Sequence, residues 1–189
     1  MNNSVADTVL DIKKDLRASM NGVASAAMRS SADYRVNFGV ELPRLHAIAK
    51  DYGKNHELAQ ALWKESIREC RILATLIQPV DSFDEEFADL WIESIHTVEI
   101  AQIASLNLFQ HMRQASTKAF QWIATENEIK QVAGLCIISH LIRATELSER
   151  SLNELNDQLS ALLEAQDTPI SVRKLANNIS IQINDNSDK

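Results

Sequence analysis

At 189 residues and 45% hydrophobic content, the chain can build one domain with a substantial core. Its 4 glycines and 3 prolines are too few for the turns of a sheet protein, which predicts long helices joined by short loops. The net charge of -7 hides an asymmetry: 11 Lys and Arg face 9 Asp and Glu up to Gln78, and 8 face 17 from Pro79 onward, a balance that argues against tight binding to nucleic acid.

The opening "MNNSVADTVLDIKKDL" has no signal-peptide core, and no apolar run approaches the ~20 residues of a membrane span, so a soluble, cytoplasmic protein is expected. Apolar residues then recur at helical spacing. "LPRLHAIAKDY" puts Leu42, Leu45, Ile48 and Ala49 on one stripe, and "HELAQALWKES" does the same with Leu58, Leu62 and Trp63. "IRECRILATLIQ" is apolar on more than one side, the pattern of a deeply buried helix. After the break "PVDS", Ser82 and Glu85 predict a capping box for "FDEEFADLWIESI", and Asp84, Glu85 and Glu86 read as first-turn acids that suit the helix dipole rather than a metal site. Further helices follow in "VEIAQIASLNLFQHM", "STKAFQWIA", "EIKQVAGLCIISHLI" and "SLNELNDQLSALLEAQ". Thr168 as N-cap and Pro169 at the first helical position open the last one, "ISVRKLANNISIQI". Cys70 and Cys136 sit in apolar helical surroundings and read as small buried hydrophobes.

A repeat underlies these helices. The openings "IRECRILA", "IKQVAGLC" and "VRKLANNI" recur, each on a more buried helix preceded by a more amphipathic one. The pattern predicts an all-α, right-handed superhelical solenoid of antiparallel HEAT-like helix pairs. One repeat domain over residues 1–184 with a polar tail at 185–189 is expected, and Ile72, Leu73, Leu106, Leu135, Ile138 and Ile179 are its expected interlayer core.

Two motifs are more specific. "NFGVELPRLHAIAK" followed by "LWKESIRECRILATLI", then "LWIESI" and "SLNLF", resemble the DNA alkylation-repair family of HEAT-like repeat DNA glycosylases (AlkD-like), in order from about Val36 to Ile183. The resemblance implies excision of positively charged alkylpurines without base flipping. Aromatic rings would pack on the sugar, and a carboxylate would stabilise the cation that develops as the glycosidic bond breaks. It also implies a longer N-terminal part than this chain shows, so part of the DNA-contacting helical cap is expected to be missing.

Carried over residue by residue from the "NLF" anchor, the sugar-packing Trp position is Val98 and the catalytic Asp position is Gln102. A second Trp position falls on Asn178, and the phosphate-binding Arg position on Val132. The resemblance therefore implies a divergent member without the family's catalytic residues. Glu99, one turn before Gln102, occupies the family's neighbouring acidic position and is the candidate substitute carboxylate, with a solvated or ion-paired helix residue as its simpler reading. Arg68, Arg71, Arg173 and Lys174 stand near the openings of repeat helices, where they could hold phosphates or make ion pairs between repeats. Trp63, Trp91 and Trp122 read as core, and His46, His56, His96, His111 and His140 show no ligand spacing. No metal or cofactor is expected. The function expected is a non-catalytic binding module for duplex DNA, held weakly and salt-sensitively, or for a protein on the concave face. The alternatives are an alkylpurine glycosylase rearranged around Glu99 and a scaffold unrelated to DNA.

Overall fold

The computed structural model describes residues 4–31, 34, 36–144 and 147–187. Among them the chain is all-α, with one isolated parallel bridge between Val36 and Ile67. The helices are α1 (Val5–Ala18), α2 (Gly22–Ser31), α3 (Leu42–Tyr52), α4 (His56–Trp63), α5 (Arg68–Ile77) and α6 (Glu85–Glu93). They continue with α7 (Val98–Asn107), α8 (Ala115–Ile123), α9 (Glu128–Arg143), α10 (Glu149–Glu164) and α11 (Ile170–Ser187). No helix among the described residues is long and apolar enough to cross a membrane.

Packing divides the chain into two compact units, Met1–Ile103 and Ala104–Lys189. In the first, α4 and α3 pack on α5, and α1 packs on α4. In the second, α8 packs on α9, which also packs on α11, and α10 packs on α11. Short connections make the pairs: residues 64–67 turn α4 back onto α5, and residues 124–127 turn α8 back onto α9. The expected core residues Ile72, Leu73, Leu135, Ile138 and Ile179 are all buried. The three tryptophans are buried too. Trp63 and Trp91 stack with ring centroids 4.0 Å apart, and Trp122 meets Phe109 edge-on at 5.3 Å.

Leu106 departs from the expectation: it is 61% exposed. The phase of α7 is set by Ile100, Ala101 and Ala104, which are buried, so Leu106 falls on the opposite stripe, one turn beyond exposed Gln102. The helix ends at Asn107, and Leu108 leaves helical geometry to start a short 3-10 turn. That change swings Leu108 and Phe109 fully into the core in its place.

Two helix starts also differ from the sequence reading. Asp84, not Ser82, caps α6 by accepting from the Phe87 N–H at 3.0 Å, while the Ser82 hydroxyl donates back to the Pro79 carbonyl. A carboxylate one residue from the helix is the stronger acceptor there. Thr168 likewise does not cap forward: its hydroxyl donates to the Leu162 carbonyl at 2.7 Å, and α11 starts one residue after Pro169.

Two glycines explain pieces of the motifs. Gly39 has φ +68, and a Cβ there would lie 2.4 Å from the Asn21 carbonyl oxygen, so only glycine lets the "FGV" loop close on the start of α2. At Gly134 a Cβ would lie 2.6 Å from the Ala119 carbonyl oxygen, which is why α9 can pack so closely on α8.

Candidate functional site

The two motifs meet at a buried carboxylate. Glu69, fully buried on α5, accepts from the Phe38 N–H with both oxygens at 3.1 Å and from the Val40 N–H at 3.3 Å. The extended segment carrying "NFGV" has few backbone partners of its own, so the acid satisfies amides that would otherwise be orphaned. Arg68 faces the same acid at 3.4 Å. These residues serve the architecture of the site.

Arg68 then reaches α7. Its guanidinium grips Glu99 with both arms, Nε to Oε2 at 2.9 Å and Nη2 to Oε1 at 2.5 Å. The Tyr34 hydroxyl donates to the same carboxylate and accepts from the Thr97 hydroxyl at 3.2 Å, while its ring lies 5.9 Å from the Arg68 guanidinium carbon. Burial opposes the charge on Glu99, but the bonds from Arg68 and Tyr34 and the charge of Arg68 outweigh it and hold the carboxyl below its ordinary range. The same balance, burial against Glu99, raises Arg68. Burial, helped by the bond to Glu99, pushes the Tyr34 phenol up to about 12. Glu99 is thus ionised, but its charge is answered by a bidentate arginine.

The residues expected from the sequence resemblance at the family's site positions fare differently. Gln102 is exposed on α7 and Val98 is half-buried. In the second unit Val132 is fully buried, and Asn178 is exposed on α11. Gln131, beside Val132, turns inward to donate to the Thr125 carbonyl at 2.7 Å. None of these side chains supplies a carboxylate, an aromatic ring or a cation.

The four basic candidates are also distinguished. Arg68 is 3% exposed and held as described. Arg71 donates to the Ser94 and Glu65 carbonyls and lies 5.3 Å from the Trp63 ring centroid. Arg173 donates to the Leu163 and Ala165 carbonyls at 3.2 and 2.8 Å, satisfying the open end of α10. Lys174 is exposed. A cavity of about 170 Å³ lies between Arg68, Arg71, Tyr34, Ser66, His96 and Thr97.

No group of acids, histidines and cysteines among the described residues could hold a metal ion. Burial pushes the thiols of Cys70 and Cys136 up to about 12 and about 11, which makes them poor nucleophiles. Sequence reasoning did not single out Glu69 or Tyr34. An acid beside an arginine at the opening of a deeply buried helix was the available signal for Glu69, since a buried charge needs a built partner.

The model of the family described as "DNA alkylation repair enzyme" matches residues 12–170. Among solved structures, the chain is similar to one described as "A new family of proteins related to the HEAT-like repeat DNA glycosylases with affinity for branched DNA structures". That likeness has a TM-score of 0.81 at 21% identity, covering 92% of this chain and 74% of the other, and it concerns the fold: all-α, HEAT-like helical repeats. No curated protein sequence matches significantly. With the motif geometry and a family match over most of its length, the chain belongs to the DNA alkylation repair enzyme family.

Proposed function

We propose that this protein is a non-catalytic, cytoplasmic binding module of its family that holds DNA weakly. The observation that supports this reading most is the state of the two residues on α7. Neutral Gln102 occupies the position of the family's catalytic acid, and the carboxylate one turn away, Glu99, is already neutralised by Arg68. Catalysis by the family's mechanism needs an uncompensated negative charge beside a developing cation, and removing such a preorganised group costs ~10²–10³ in rate. Val98 and Asn178 add no ring to position the sugar.

The similar solved structure belongs to proteins described as having affinity for branched DNA structures, so junctions and flaps are the first forms to test beside plain duplex. Attraction must come from a few cations on a molecule of net charge -7, which makes binding weak and steeply salt-dependent.

The experiment has two arms. DNA carrying 7-methylguanine or 3-methyladenine, incubated with excess protein, should lose base only at the spontaneous rate. Fluorescence anisotropy with duplex, three-way and four-way DNA should show binding that disappears as salt rises. Base release that Glu99→Gln abolishes would replace this reading with a rearranged glycosylase. Absence of binding to every DNA form would shift it to a protein-binding scaffold.

A further inference from the structure

We propose that the cavity beside Arg71 is a site for a phosphate oxyanion. At about 170 Å³ it is smaller than the ~300–1,000 Å³ of pockets that take whole small molecules, so it is too small for a whole nucleotide and has room for a tetrahedral anion. The hydroxyl hydrogens of Tyr34 and Thr97 and the guanidinium of Arg68 are already engaged within the network around Glu99, so the donors left in the lining are Arg71, the Ser66 hydroxyl and the His96 ring.

The two arginines differ in charge balance. Arg68 is answered by Glu99 and Glu69. Arg71 is half-buried and pairs with no carboxylate among the described residues; burial alone lowers its pKa, as expected of a cation taken out of water without a counter-ion. The carbonyls of Ser94 and Glu65 occupy two of its N–H donors and the Trp63 face fixes its plane, leaving three of the five donors a guanidinium carries. A preoriented, uncompensated guanidinium beside a hydroxyl is the usual means of holding a phosphate. Ser66 and His96 are exposed and mark the mouth.

The anion could be a backbone phosphate of DNA, which would deepen the function proposed above and rests on it, or a free phosphate. Two arms separate these sources. In the first, inorganic phosphate is titrated into the protein at constant ionic strength against chloride, with amide and Arg side-chain resonances followed by NMR. Saturable shifts at Arg71, Thr97 and Ile100 are expected with phosphate alone. Because Arg71→Gln could disturb the Trp63 and Ser94 contacts, Ser66→Glu is the main variant: it places a negative charge at the mouth without touching Arg71. It should weaken phosphate binding by about tenfold or more, since like charges a few ångströms apart repel by at least that factor. No saturable shift, or shifts unchanged in Ser66→Glu, would overturn the site.

In the second arm, DNA affinity is measured against salt. If the anion is a DNA phosphate, Ser66→Glu should lower the salt slope by about 1. An unchanged slope with phosphate binding intact supports a free anion and leaves the DNA reading standing on other contacts. If no DNA binds at all, the functional reading fails, and the phosphate titration alone decides the site.

Discussion

The openings of α5 and α9 occupy equivalent places in the repeat, "IRECRILA" and "IKQVAGLC", yet they solve the same problem with different chemistry. Each turns a long polar side chain at its third position inward to satisfy the backbone of the segment beside it. On α5 the group is the carboxylate of Glu69, which accepts from two amides and draws in Arg68, and through Arg68 also Glu99 and Tyr34. On α9 it is the neutral amide of Gln131, which donates to one carbonyl and recruits no ion. The next position, Cys70 or Val132, is fully buried in both. A charge in this slot therefore organises a polar network and a cavity, whereas an amide in the same slot is a local tie. Val132, where the sequence resemblance leads one to expect the family's phosphate-binding Arg, is buried in this repeat, so an arginine introduced there would have to leave the core to meet a phosphate.

That difference can be broken most severely at Glu69. Glu69→Ala would orphan the Phe38 and Val40 amides and remove one partner of a buried ion pair, costing ~3–5 kcal/mol in urea unfolding. Gln131→Leu removes one neutral hydrogen bond and should cost ~1–3 kcal/mol. Equal costs at the two positions would show that the charge is not what sets α5 apart.

The next test compares Leu106, in the last turn of α7, with Leu108, just beyond its end. Leu108→Ala empties a fully buried position and should cost ~2–5 kcal/mol, while Leu106→Ala, at an exposed one, should stay within ~0.5 kcal/mol. A large loss at Leu106 would mean that a partner or another part of the molecule covers it.

The smallest effect concerns pH. The folded Glu99 carboxyl is held below its ordinary range, so it adds stability that is present above the unfolded pKa, ordinarily ~4.3, and is lost as pH falls through the folded value. Glu99→Gln should flatten the acid limb of the stability profile. Tyr34 has the opposite sign. Raised to about 12, it contributes stability that is complete below the ordinary phenol value of ~10 and lost as pH rises toward 12. Tyr34→Phe should flatten that alkaline limb, and stability profiles of the two variants against pH would check both limbs. An unchanged acid limb in Glu99→Gln would mean that the Arg68 grip contributes nothing net.

Helical periodicity, scarce turn residues and the repeated openings were enough, by themselves, to determine an all-α chain of paired helices, because apolar spacing and the shortage of Gly and Pro act locally. The motif pair around Gly39 and Glu69 was legible as a family resemblance, since residue identity is read directly. Tertiary structure alone decided the rest. The exposure of Leu106 depends on which face of α7 meets its neighbours, a rotation that a helix with Glu99, Gln102, Ser105 and Asn107 spread around its axis does not encode. The engagement of Glu99 depends on Arg68, 31 residues earlier in the chain, arriving within hydrogen-bond reach. That Arg71 meets no counter-charge among the described residues is a property of its surroundings, because a cation's balance is set by what folding places beside it and not by its own position in the sequence.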